Sequence, residues 1–219
     1  MMVVMIIYIT LIIYTVKQAI DMQESDEMRV TREQAALNRE RVLAAAARLF
    51  RERGFDGVGV ADLMKSAGLT HGGFYGQFGS KEALMEQACT RAFDVSLERW
   101  RRLIEEGGDA PLAALTRVYL SPLHRDHPGE GCALAALGTE AARQGPGLRK
   151  AFTEGTRALV DLMTALVPGR AKAVKRQRAL ATFAAMVGAL VIARAVDDEA
   201  LSQEVLEAVS VSVNPPAQG

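Results

Sequence analysis

The stretch from Val58 to Lys81, VGVADLMKSAGLTHGGFYGQFGSK, limits what the chain can fold into more than any other. An apolar-periodic segment over Val60 to Ala67 leads to Gly68-Leu69, then to a second short segment from Thr70 to Phe78 and a polar restart at Ser80-Lys81. Gly68 can take the positive φ that ends a first helix, and Thr70 can satisfy orphan N–H groups at the start of a second. Two short helices joined by a Gly-containing turn form the helix-turn-helix pattern, whose second helix lies in the DNA major groove. The spacing therefore predicts DNA binding. Charge agrees: the 219 residues sum to zero, yet residues 28–81 carry a net +4, against −3 over residues 1–27 and −1 over residues 82–219. The positive excess coincides with the segment that would meet phosphate.

From Met28 onward Ala, Leu, Arg and Glu dominate and Pro is sparse, so an all-α fold is expected. Thr31 to Arg53 reads as one helix, with Val42, Leu43, Ala46, Leu49 and Phe50 on one stripe and Arg39, Arg41, Arg48 and Arg51 mostly off it. Arg53-Gly54 ends it. Gly59 would cap the next helix, and Leu63, Met64, Phe74 and Phe78 would close a small core with the first. A long helix should start at Ser80 and run to about Glu105, far enough to leave the head and enter a second domain. Further helices are expected from Pro111 to about Leu120, Cys132 to Arg143, Leu148 to Val167, Ala171 to Val196 and Ala200 to Val213. Ser121 to Gly131 reads as a loop, and Gly145-Pro146-Gly147 as a break. In the penultimate helix Ala181, Ala184, Ala185, Gly188, Ala189 and Ile192 make a face of small residues, suited to close helix–helix contact within the chain or between chains.

Residues 1–27 stand apart. Six of the eight isoleucines fall there, and none of the 19 glycines. Met1 to Val16 is uncharged and apolar, short for a bilayer-spanning helix, and lacks the basic flank and cleavage site of a signal peptide. The segment reads as a start-site extension, with Met28 opening the chain proper, or as a hydrophobic anchor. Two cysteines, Cys89 and Cys132, make no disulfide framework and fit a reducing, cytoplasmic compartment.

The run RLFRERGFDGVGV followed by ADLMKSAGLTHGGFYGQFGSKEALM, with Gly54-Phe55, Ala67-Gly68, Phe74-Tyr75, Phe78 and Ser80-Lys81-Glu82, resembles the TetR family of bacterial transcriptional regulators. The resemblance spans about Arg39 to Met85. It implies a helix-turn-helix DNA-binding domain over residues 28–82, a ligand-binding and dimerisation domain over residues 83–213 and a tail over residues 214–219. It also implies a homodimer on a double-stranded DNA operator, repression, and release by a small-molecule effector. Carried onto this chain, it puts Thr70, His71 and Gly72 at the exposed start of the recognition helix, with Tyr75 and Lys81 on phosphate. Gly59 departs from the family pattern, which commonly has a hydroxyl residue there. Gly131-Cys132-Ala133-Leu134 with Glu140 is similar to a subset of these regulators.

An effector pocket would draw on Trp100, Tyr119, Phe152, Met163 and Met186, residue types that serve equally as plain core. Cys132, expected at a helix N-terminus where the dipole favours thiolate, could serve a thiol-based redox or electrophile sensor; buried packing is the alternative. A membrane partner is not expected, a membrane-tethered sensor built on residues 1–20 being the competing class. No GxxxxGK[ST] or G-x-S-x-G occurs, so an enzyme is not expected. Neither is a cofactor. His124-x-x-His127 with Asp126 or Glu130 could assemble a metal site only from a Pro/Gly loop, and reads instead as a solvated turn.

Overall fold

The computed structural model describes residues 2–70 and 73–214, with side chains at Tyr14, Lys17, Gln18, residues 31–70 and residues 73–214. Among the described residues there is no strand. The helices are α1 Met2–Arg53, α2 Val60–Ser66, α3 Phe74–Phe78, α4 Lys81–Glu106, α5 Pro111–Tyr119, α6 Pro122–Asp126, α7 Ala133–Ala141, α8 Pro146–Leu166, α9 Lys172–Ala195 and α10 Glu199–Val213, with a 3-10 turn at Pro128–Glu130. The all-α expectation holds.

The chain divides into two compact units, Met1–Arg41 and Val42–Gly219, and the division falls inside α1. In the first unit, i,i+4 pairs line the helix: Gln18 Nε2 donates to Tyr14 Oη at 3.1 Å and Gln34 Nε2 to Asn38 Oδ1 at 2.9 Å. The helix starts far ahead of the expected Thr31 because neither Gly nor Pro occurs before Gly54 to stop it. The anchor and start-site readings of residues 1–27 concern side chains that, apart from Tyr14, Lys17 and Gln18, lie outside the described residues.

In the second unit, Val42, Ala46, Leu49 and Phe50 of α1 are buried with Phe55, Val58, Leu63, Met64, Phe74 and Phe78, which closes the core of the head. Gly54 and Gly68 hold φ of 75° and 73°, and Leu69 N donates to Met64 O at 2.9 Å, a six-to-one bond that seals the end of α2. Gly59 stands at the N-cap of α2. Of the third helix the described part is α3, Phe74–Phe78, with Gly73 at its N-cap; the expected start at Thr70 turns on His71 and Gly72, which lie outside the described residues.

Ser80 caps α4, its Oγ accepting from Ala83 N at 3.1 Å. α4 then runs out of the head and packs along α8, burying Leu84, Ala88, Ala92, Phe93 and Trp100. Two expectations beyond it change. Residues 121–131 are not an open loop: Ser121 Oγ accepts from His124 N at 3.2 Å and Pro122 opens α6. Gly145-Pro146-Gly147 is the start of α8, because proline at the first helical position lacks only an N–H that has no acceptor there anyway. Asp198 caps α10, accepting from Ala200 N at 2.9 Å and Leu201 N at 3.1 Å. Of the small-residue face on α9, Ala189 is buried within the chain while Ala181, Ala184 and Ile192 stay exposed. Among the described residues α9 alone is long and apolar enough to cross a membrane by length and composition, and a third of that apolar window is buried.

Candidate nucleic-acid interface and cavity

On the head, Thr70 is exposed and Tyr75 is 62% exposed, its ring edge-on to Phe74 at 5.1 Å. His71 and Gly72 lie outside the described residues. Lys81, half-buried in the first turn of α4, donates from Nζ to Phe55 O at 2.7 Å. An ammonium has three donors, so this bond fixes the side chain and takes up one of them. Thr70 and Tyr75 thus present polar groups on one module, with the Lys81 ammonium anchored to the turn beneath it.

The same turn is held from the other side. Phe55 N–H donates to Glu140 Oε2 of α7 at 2.8 Å, so the Phe55 peptide groups link α4 and α7 to the head. A Cβ on Gly54 would come within 2.7 Å of Glu140 Oε1, at a φ that already favours glycine. Sequence alone marked Glu140 only through the family resemblance and gave it no role. Glu140→Ala is expected to lower stability by about 1–2 kcal/mol, the cost of an orphaned half-buried N–H, while Glu140→Gln keeps an acceptor and most of the stability. Urea unfolding of the two variants checks this, and equal losses would mean the contact is not a hydrogen bond.

Between α1, α4, α5, α8 and the 121–132 segment lies a cavity of about 380 Å³. Ala47 and Arg51 reach it from α1, Ser96, Arg99 and Trp100 from α4, Leu115 and Tyr119 from α5, and Leu159 from α8. Trp100, Tyr119 and Cys132 are brought together in its wall, the first two rings edge-on at 6.0 Å. Phe152, Met163 and Met186 are not brought to it. They are buried core; Phe152 is occupied by the Phe93 ring at 5.3 Å, and Met163 and Met186 have no exposed surface. The Tyr119 hydroxyl is buried without a nitrogen or oxygen partner among the described residues, and burial raises its pKa well above the ordinary phenol value.

His124 forms part of the wall and explains its shape. Nε2 accepts from Cys132 N at 3.0 Å, and Nδ1 lies 2.7 Å from Tyr119 O. A backbone N–H only donates and a carbonyl only accepts, so Nδ1 carries the proton and the ring is neutral. Burial, then the charges of Arg194, Arg99 and Arg51, pull His124 down to about 4 against the opposing Tyr119 bond. A Cβ on Gly131 would sit 2.6 Å from His124 Nε2, which is why this approach needs glycine. With both nitrogens taken by backbone groups, the ring has no lone pair left for a metal. Arg194 of α9 holds the C-terminal end of α6, donating to Arg125 O at 2.9 Å and His124 O at 2.7 Å. Arg51 of α1 donates to Gly129 O, from Nε at 3.0 Å and also from Nη2. The wall is therefore tied to the helix that enters the head. Cys132 is 5% exposed at the N-cap of α7. Cys89 is buried in the core, its thiol pushed up to about 12 by burial.

Residues 42–88 match the family model for bacterial regulatory proteins, tetR family. The chain is similar to the HTH-type transcriptional repressor NemR of Escherichia coli, 30% identical over 136 residues that cover 60% of this chain and 68% of that protein. It is also similar to the HTH-type transcriptional repressor KstR2 of Mycolicibacterium smegmatis, 31% identical over 91 residues, 42% of this chain and 44% of that one. Among solved structures, the reduced form of E. coli NemR superposes with a TM-score of 0.68 at 26% identity, covering 82% of this chain and 98% of that chain. A TetR transcriptional regulator from Chloroflexus aurantiacus shares the fold, with a TM-score of 0.69 at 24% identity over 84% of this chain and 97% of that chain.

Proposed function

Because this chain belongs to the tetR family of bacterial regulatory proteins, we propose that it is a DNA-binding transcriptional repressor that leaves a near-palindromic operator when a small-molecule effector fills the cavity. The observation that carries the reading is the position of that cavity. Its wall includes Ala47 and Arg51 of the helix that builds the head, and Trp100 of the helix that leaves it. An effector with different affinities for two head positions shifts their populations by that difference, and DNA affinity changes in return. Catalysis has no part in it.

The protein acts as a cytoplasmic homodimer in this reading. Leu180, Val191, Ile192 and Leu201 are 40–48% exposed on α9 and α10, an apolar face that a second copy would cover. Two heads would then reach successive major grooves. Thr70, His71 and Gly72 would meet bases, and Tyr75 and Lys81 phosphates.

Selection of bound sequences from random duplex DNA by the full chain tests the proposal, with an inverted repeat as the expected product. Absence of any enriched site at low salt defeats it. Tyr75→Ala and Lys81→Ala are expected to weaken all sequences by about 1–2 kcal/mol and to flatten the salt dependence, and His71→Ala to relax specificity instead. Gel-shift titration at two salt concentrations distinguishes the two kinds of contact. Lys81→Ala should also cost some stability, since it removes the bond to Phe55 O.

A further inference from the structure

The cavity has a charge that its walls do not neutralise. Arg48, Arg51, Arg99 and Arg102 border it, against one carboxylate in the lining, Glu130. Arg48 is satisfied by Glu52 at 3.0 Å. Arg51 is different: it is half-buried, its acceptor is the neutral carbonyl of Gly129, and burial lowers its pKa from the ordinary guanidinium value. Arg99 is also half-buried and makes no hydrogen bond or ion pair among the described residues. The positive field is felt inside the wall, since Arg99 and Arg51 both help to keep His124 neutral. Glu52 and Glu130 lie near enough to Arg51 to oppose the lowering of its pKa in part, yet neither accepts a hydrogen bond from it. Guanidinium groups do not shed their proton near neutral pH, so a half-buried cation with no hydrogen-bonded carboxylate carries a cost that an anion would offset.

The rest of the cavity is apolar. Trp100, Leu115 and Leu159 line it, with Tyr119 among them. Its 380 Å³ lies in the range of small-molecule sites. We propose that the cavity binds an amphipathic organic anion, its carboxylate on Arg51 and Arg99 and its hydrocarbon body on Trp100, Leu115 and Leu159. Guanidinium and carboxylate match as a two-pronged charge-assisted pair. This names the effector class for the repressor reading and rests on it. It also supplies the switch: an anion that draws Arg51 away from Gly129 O unties α1 from the turn at residues 128–130.

The chain has one tryptophan, and it lines the cavity, so Trp100 emission reports occupancy without a label. The test titrates the full chain at pH 7 with decanoate, decan-1-ol and decylamine, each below its aggregation limit. Decanoate should bind about tenfold or more tighter than the alcohol, the worth of one charge-assisted contact, and the amine weakest. Arg99→Gln should bring decanoate close to decanol while leaving decanol affinity unchanged, which separates lost charge from lost fold. Decanol or decylamine binding as tightly as decanoate overturns the inference. So does an anion preference that survives in Arg51→Gln/Arg99→Gln, or emission that responds to none of the three. Operator selection on the same protein keeps the two readings apart. An enriched inverted repeat with no anion preference removes the effector class alone, and no enriched repeat removes the repressor reading whatever decanoate does.

Discussion

Gly155→Ala is expected to destabilise the chain by about 2–3 kcal/mol, although alanine normally stabilises a helix interior by about 1 kcal/mol over glycine. Gly155 lies in α8 where α4 crosses it, and a Cβ there would fall 2.1 Å from Phe93 Cγ and 2.5 Å from both Cδ atoms. Van der Waals contact between carbons begins near 3.5 Å, so something has to move. The Phe93 ring cannot yield easily: it is 2% exposed and edge-on to Phe152 at 5.3 Å. The helices must part instead, and well-packed interiors resist that. Urea unfolding measures the loss, and Phe93→Leu in the Gly155→Ala background should restore part of it. Strictly additive effects of the two changes would mean that the ring is not what the methyl group meets. Because α4 also carries Trp100 and emerges from the head, the variant should bind operator more weakly even at temperatures where it stays folded.

How far such features could be read in advance depends on the range of the interactions that make them. The helix-turn-helix was legible because its determinants are local: Gly68 at positive φ, Ser80 as a cap, Phe74 and Phe78 one turn apart. The cavity was legible only in part, because its lining runs from Ala44 to Leu159 through five helices. Residue type singled out Trp100, Tyr119 and Cys132, but it singled out Phe152, Met163 and Met186 by the same logic. Nothing in a one-dimensional pattern says which large apolar side chains face a void and which fill the core. Arg51 shows the limit most clearly. It lies off the apolar stripe of α1 like its neighbours Arg41 and Arg48, yet it is drawn inward by a carbonyl 78 residues away. His124 looked like a turn residue or a weak metal ligand. Its signal was Ser121-Pro122 before it, a helix start, and Gly131 after it, where only glycine leaves room for the ring.

Acidification should weaken the fold through that histidine, by about 1 kcal/mol per pH unit between pH 6.5 and 4. Folded His124 titrates at about 4, whereas the unfolded side chain titrates near its ordinary 6.5. Above pH 6.5 both states are neutral and the full stability is present. As pH falls, the unfolded chain takes up a proton that the folded chain refuses, so stability drops until the folded pKa is reached and then levels off. The total is about 2–3 kcal/mol, since the ring is mostly buried and solvent screens it little. His124→Gln retains an acceptor for Cys132 N–H and does not titrate. It should be less stable than the parent at pH 7 by about 1 kcal/mol, for an imperfect fit between Tyr119 O and Cys132 N, and should show a shallower slope from pH 6.5 to 4. Urea unfolding at pH 7, 6 and 5 compares the slopes, and the imidazole NMR shift of His124 should stay at its neutral value down to pH 5. Parallel slopes for parent and variant would assign the acid sensitivity elsewhere. Protonation of the ring, as pH falls through about 4, would break the bond to Cys132 N, free the segment that carries Gly129 O, and so loosen the Arg51 contact by which α1 is held.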